Sequence, residues 1–103
     1  MDTYLVRILY QADECILRAP LPFQSKIAAH MQMLAKGKWN AVYIKSIRGK
    51  IKEIKINQYR FLFFIHEKAI YIVRGFIKKT NKTPPKEIDL AELAYKQIID
   101  QYI

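Results

Sequence analysis

The chain has 103 residues and a hydrophobic fraction of 51%, enough for one packed domain and too much for a disordered tail. No apolar run approaches the ~20 residues a membrane helix needs, and the lone Cys15 excludes an internal disulfide. The net charge is +9, and residues 45–86 carry twelve Lys/Arg against two Asp/Glu, an imbalance that attracts a polyanion.

The start, Met1-Asp2-Thr3-Tyr4, lacks the basic flank and apolar stretch of a secretory signal, so a cytoplasmic protein is expected. Tyr4-Leu5-Val6-Arg7-Ile8-Leu9-Tyr10 is β-branched and aromatic and predicts a first strand. Gln11–Ala19 has no decisive period and leaves room for a short helical turn, broken by Pro20 and Pro22. From Leu21 to Lys36, Phe23, Ile27, Met31 and Leu34 recur at spacings of three and four, with Ala28 and Ala35 alongside. That period predicts an amphipathic helix, stopped at Gly37. Trp39–Ile44 reads as a connector to the sheet. Lys50–Asn57, Tyr59–Ile65 and Ala69–Ile77 predict three strands in a row, with turns at Asn57-Gln58 and His66-Glu67-Lys68. Thr83-Pro84-Pro85 opens a final helix, with Thr83 as candidate cap and Glu87 and Asp89 at the positive end of the dipole. Ile88, Ala91, Tyr95, Ile98 and Tyr102 form its apolar stripe. The order of strand, helix, three antiparallel strands and helix predicts one α+β domain over residues 1–103.

Side chains alternate across a strand. With Asn57-Gln58 as a two-residue loop, Ile56 pairs with Tyr59, Lys55 with Arg60, and Glu53 with Leu62. Lys55 and Arg60 then stand opposite each other, an arrangement unfavourable by a few tenths of a kcal/mol or more. Stability alone would avoid it; an anion site would favour it. Pairing Ile65 with Ile70 sets Arg60 opposite Gly75, brings Lys79 to the same face, and sends Arg74, Phe76 and Lys78 to the reverse. A bulge in either hairpin would invert that assignment. Lys55 and Arg60 alone would read as solvated strand residues. With Lys79 and the basic block they predict an anion site.

Residues 45–91 resemble the RelE/HigB toxin superfamily, in its phage-derived HigB-like branch. The resemblance rests on Ile51-Lys52-Glu53-Ile54-Lys55, on Tyr59-Arg60, and on Gly75-Phe76-Ile77-Lys78-Lys79-Thr80-Asn81-Lys82-Thr83-Pro84, followed by Glu87-Ile88 and Ala91. The long Gly-Phe motif is the specific one. The resemblance implies a small twisted antiparallel sheet with two helices near the N-terminus and one at the C-terminus. It also implies cleavage of messenger RNA, commonly on the ribosome, with Lys55, Arg60 and Lys79 lining the RNA-facing surface. The chain departs from the pattern at Lys55, where relatives carry arginine with its bidentate fork. It departs again at Arg74, where many have histidine, and at Ile88, near which some have tyrosine.

The expected activity is therefore a metal-independent endoribonuclease acting as the toxin of a type II toxin–antitoxin pair. The ribose 2′-OH would attack the adjacent phosphate, which calls for charge stabilisation, a base and an acid. Arg60 is the candidate phosphate clamp, Lys55 or Lys79 the base if neighbouring cations lower its pKa, and Glu53 the alternative base. Lys78, Lys82, Lys45, Arg48 and Lys50 would hold the RNA or ribosomal backbone by charge, with Arg74 and Phe76 beside them. His30 and His66 lack the carboxylate spacing of a metal site, and no phosphate loop or dinucleotide fingerprint occurs, so neither metal nor cofactor is expected. The partner implied by resemblance is an acidic antitoxin of the HigA kind with a helix-turn-helix domain, covering the basic face or residues 21–36. Two other readings remain open: a gyrase poison on the same scaffold, and a nucleic-acid-binding module without activity.

Overall fold

A computed structural model describes residues 3–101; Met1, Asp2 and the expected stripe position Tyr102 lie outside the described residues. The elements in order are β1 (Leu5–Ile8), α1 (Tyr10–Leu17), α2 (Leu21–Ala35), a 3-10 turn (Trp39–Ala41), β2 (Tyr43–Arg48), β3 (Ile51–Ile56), β4 (Tyr59–His66), β5 (Ala69–Ile77) and α3 (Pro85–Asp100). The strands form one sheet in the order β1-β5-β4-β3-β2. The fold is α+β, as the sequence predicts, but the sheet is mixed: β1 runs parallel to β5 and the remaining pairs are antiparallel. A parallel neighbour needs a long crossover. Here α1 and α2 carry the chain from β1 at one edge of the sheet to β2 at the other.

Both faces of the sheet are covered. Ile54, Ile56, Phe61, Phe63, Ile70 and Ile72 pack against Ala12, Ile27, Met31 and Leu34 of α1 and α2. Ile51, Leu62, Phe64, Tyr71 and Val73 pack against Ala91, Tyr95 and Ile98 of α3. The continuous run Phe61–Phe64 is buried because β4 is the central strand and apolar on both sides. Each fully buried phenylalanine contributes about 1.5–3 kcal/mol of burial, and these side chains hold the strand ends rigidly where the polar residues emerge.

Three local expectations change. Most of Gln11–Ala19 lies in a full helix, α1, which begins at Tyr10 and ends at Leu17 and whose inward positions Ala12, Cys15 and Ile16 are mostly small, so the sequence gives its period little contrast. The expected connector Trp39–Ile44 contains only one 3-10 turn before β2 begins. β2 is an edge strand whose Lys45 and Arg48 guard it against pairing with other chains, and those charges mask its alternation. The β3–β4 register is the predicted one, Lys55 opposite Arg60 and Glu53 opposite Leu62, through a turn in which Asn57 takes a positive φ of 55°.

The third change decides the site. The β4–β5 ladder starts as predicted, with Ile65 opposite Ile70, then shifts between Leu62 and Phe63. Leu62 pairs with Arg74 and Phe63 with Ile72, leaving Val73 as the extra residue. Val73 and Arg74 both face α3, the first in its core and the second bonded to its Glu87. One extra residue inverts every side chain beyond it. Arg60 consequently stands opposite Phe76, not Gly75.

Candidate nucleic-acid interface

Alternation on β2, β3 and β4 brings one row of polar side chains to the α3 face beyond the end of the core. Tyr43 pairs with Lys55 and Lys55 with Arg60; Lys45 pairs with Glu53. With Lys78 they line a cleft of about 170 Å³. Lys78 lies one residue past β5, and its backbone N–H donates to the Gln58 carbonyl at 2.9 Å, extending the ladder to hold it in place.

Glu53 lies under the cleft, only 2% exposed. Its Oε2 accepts a hydrogen bond from the buried Thr83 hydroxyl at 2.5 Å. Its Oε1 lies 3.8 Å from Arg60 Nε and 3.9 Å from Lys45 Nζ. A buried carboxylate needs partners of this kind, because unpaired it would be strongly penalised by lost hydration. The Arg60 side chain is 11% exposed, and its Nη1 donates to the carbonyls of Asn57 at 2.6 Å and Tyr59 at 2.9 Å. The guanidinium is thereby fixed by its own hairpin turn. Lys55 Nζ stands 5.5 Å from the centroid of the Tyr43 ring, which is 67% exposed. Partial burial pushes the Lys78 ammonium below the ordinary lysine pKa; the Glu53 carboxylate opposes this, while the cations of Lys45 and Arg60 reinforce it.

The predicted residues divide. Lys55, Arg60, Glu53, Lys45 and Lys78 come together. Lys79 does not: the Val73 bulge turns it to the opposite face, where it lines a different cleft with Gln11, Cys15 and Gly75. Lys78, expected on the reverse side, takes the place expected of Lys79. Arg74 is likewise on the α3 face, with Glu87 accepting from its Nε at 2.7 Å. Arg48 is held by Asp89 at 3.0 Å and Glu92 at 2.7 Å, so both arginines tie α3 to the sheet. Phe76 packs in the α3-side core. Lys50 sits in the β2–β3 turn and Lys82 is exposed in the loop before α3; neither lines the cleft. Glu53, expected as an alternative base, is too enclosed to meet a substrate.

Sequence reasoning missed Tyr43 and the pairing role of Thr83. Tyr43 has a signal, since Tyr43 and Lys45 alternate with Ile44, but the segment read as a connector. Thr83 reads as a helix cap, yet it makes no cap bond in α3 and spends its hydroxyl on Glu53.

Four cations around one buried carboxylate leave an excess of positive charge facing solvent, which suits an oxyanion with several oxygens. Ammonium and guanidinium donors do not ligate metals, and among the described residues no three His, Cys, Asp or Glu side chains converge. Among the same residues no helix is long and apolar enough to cross a membrane.

Comparisons with known proteins agree with this architecture. The fold is similar to that of a chain in the crystal structure of the toxin-antitoxin complex RelBE2 from Mycobacterium tuberculosis. The similarity has a TM-score of 0.56 at 19% identity, over 74% of this chain and 99% of that one. No curated protein sequence matches the chain. The model of the family described as Phage derived protein Gp49-like matches residues 14–96, from the second half of α1 through α2 and the sheet to the whole motif from Gly75 to Ala91. The chain belongs to that Gp49-like family, the phage-derived branch of the RelE/HigB-like type II toxins.

Proposed function

We infer that the chain is the toxin of a toxin–antitoxin pair and cleaves messenger RNA at the cleft between β2, β4 and Lys78. The observation that carries this reading is the convergence of Lys45, Lys55, Arg60 and Lys78 over the buried Glu53. Stability alone would not gather four cations, because like charges repel. A phosphodiester entering the cleft relieves that repulsion.

Arg60, held by Asn57 and Tyr59, offers a pre-aligned donor to a phosphate oxygen. The ribose 2′-OH attacks the neighbouring phosphorus, its proton passes to Lys78 Nζ, and the bond from phosphorus to the 5′-oxygen breaks. The products are a 2′,3′-cyclic phosphate and a 5′-hydroxyl, whose proton comes from the ammonium of Lys55. The lowered pKa of Lys78 suits a base near neutral pH better than an ordinary lysine. Glu53 is a positioning residue: it holds Arg60 and Lys45 apart and stays out of the reaction. Tyr43 supplies an exposed ring on which a base adjoining the scissile bond stacks.

The toxin acts in the cytoplasm on ribosome-bound message, and its partner is an acidic antitoxin of the HigA kind with a helix-turn-helix domain. Purified protein incubated with ribosomes and message tests the reading by primer extension. Cuts within codons that vanish in Arg60→Ala support it. RNA binding without cuts in either protein replaces it with a non-catalytic nucleic-acid-binding module, and gyrase inhibition without RNA binding replaces it with a gyrase poison.

A further inference from the structure

The second cleft, on the opposite face, is larger, about 360 Å³, and is lined by Gln11, Glu14, Cys15, Arg18, Tyr59, Gly75, Ile77 and Lys79. It runs along an open sheet edge. β5 has nine residues, but β1 pairs only with Ala69–Ile72 before the chain turns into α1. Beyond that point the outer edge of β5 has no strand beside it.

One stretch of this edge is already occupied by a strand mimic. The Gln11 side-chain amide donates to the Gly75 carbonyl at 2.8 Å and accepts from the Gly75 N–H at 2.7 Å. This two-point exchange is the one a residue of a neighbouring strand would make. Backbone groups alternate along a strand, so Ile77 presents its N–H and C=O on the same outer side as Gly75. Among the described residues no bond from another element reaches them. The Ile77 side chain is 48% exposed. Unpaired edges of this kind are templates for an added strand.

The charges around the edge select what fits. Among the described residues no carboxylate pairs with Lys79, and Arg18 is opposed only by Glu14 of its own helix at 3.2 Å. We propose that the open β5 edge at Ile77–Lys79 receives an extended segment of the antitoxin. That segment forms a sixth strand, with apolar side chains over Ile77 and Cys15 and acidic side chains toward Lys79 and Arg18. RNA fits poorly, since it has no amide ladder to offer the edge and meets a carboxylate, Glu14, in the cleft wall. Binding here leaves the Arg60 cleft uncovered, so neutralisation would act by geometry or by a second contact, not by this strand filling the cleft.

The proposal rests on the antitoxin reading above, and its test is kept separate from RNA chemistry. The probe is a capped synthetic hexapeptide, Thr-Ile-Thr-Glu-Thr-Glu, which carries isoleucine and glutamate on one face of an added strand as Ile77 and Lys79 share one face of the sheet. It is titrated into the ¹⁵N-labelled chain and followed by heteronuclear NMR. Shifts are expected at the Ile77 and Lys79 amides and the Gln11 side-chain amide. Ile77→Pro removes the outward N–H while keeping the bonds to β4, and weakens binding about tenfold, as expected for one or two lost backbone hydrogen bonds. Lys79→Glu does the same, and the same peptide with lysine in place of each glutamate does not bind. Absent shifts, shifts confined to Lys45, Lys55, Arg60 and Lys78, or unchanged binding to Ile77→Pro overturn the proposal. RNA cleavage by Ile77→Pro, measured alongside, should equal that of the unaltered chain. Peptide binding with no cleavage by any variant would refute the nuclease reading and leave this one standing.

Discussion

Replacing Glu53 with glutamine keeps the shape of the side chain and removes its charge. The Thr83 hydroxyl still finds an oxygen, but Arg60 at 3.8 Å and Lys45 at 3.9 Å lose their counter-charge. Breaking a fully buried ion pair costs about 3–5 kcal/mol. Both contacts here are long and half of Lys45 is solvated, so the loss is nearer ~2 kcal/mol. For a chain of 103 residues that lowers Tm by about 8–16 °C. Thr83→Val adds a second leg. It removes the donor at 2.5 Å, and a hydrogen bond to a charged acceptor contributes about 1.5–3 kcal/mol. Combined with Glu53→Gln it should cost less than the two single changes added together, because the charged bond is lost only once. Thermal unfolding by circular dichroism gives all four corners of the cycle. Repeating it in 0.5 M NaCl should return part of the Glu53→Gln loss, since salt screens the unmatched cations. A Glu53→Gln protein as stable as the parent, or additive Thr83 and Glu53 effects, would refute the view that this carboxylate anchors the cleft.

Three further outcomes follow from the same contacts. Tyr43→Ala should weaken binding of a short single-stranded RNA by about 1–3 kcal/mol in fluorescence anisotropy, the value of one stacked base, with little change in Tm. Gly75→Ala should destabilise by at least about 1–3 kcal/mol in denaturant unfolding, because its methyl would sit 2.6 Å from Phe61 Cε1 and 3.1 Å from Cys15 Cβ. Lys78 is a base whose folded pKa lies below its unfolded value, so the unfolded chain binds the extra proton and stability rises with pH between the two values. Lys78→Met should remove that rise from a pH series of unfolding free energies and stabilise the chain below it.

The sequence made the antiparallel core of the sheet legible because its signals are local. Asn57-Gln58 sets the β3–β4 register, and register sets which side chains share a face. The relative placement of Lys55, Arg60 and Glu53 therefore follows from the turn and from alternation alone. The parallel pairing of β1 is not local and left no mark in residues 4–10. The Val73 bulge is equally silent. Ala69–Ile77 alternates as well with the extra residue as without it, since Ile72 and Val73 are both apolar and suit either face. That one residue exchanged the places of Lys78 and Lys79. Arg48 and Arg74 show another limit: read as free cations, they are matched by acids on α3 that lie 13 to 44 positions away in the chain.

The most direct test compares Lys78→Ala with Lys79→Ala in cleavage of message on ribosomes, since the bulge assigns adjacent lysines to opposite faces. A lost proton acceptor costs about 10²–10⁴-fold in rate, so Lys78→Ala should fall by that much while Lys79→Ala stays within about twofold of the parent, as surface changes away from a site do. A large loss in Lys79→Ala with Lys78→Ala unaffected would contradict the account and place the working surface on the other side of the sheet.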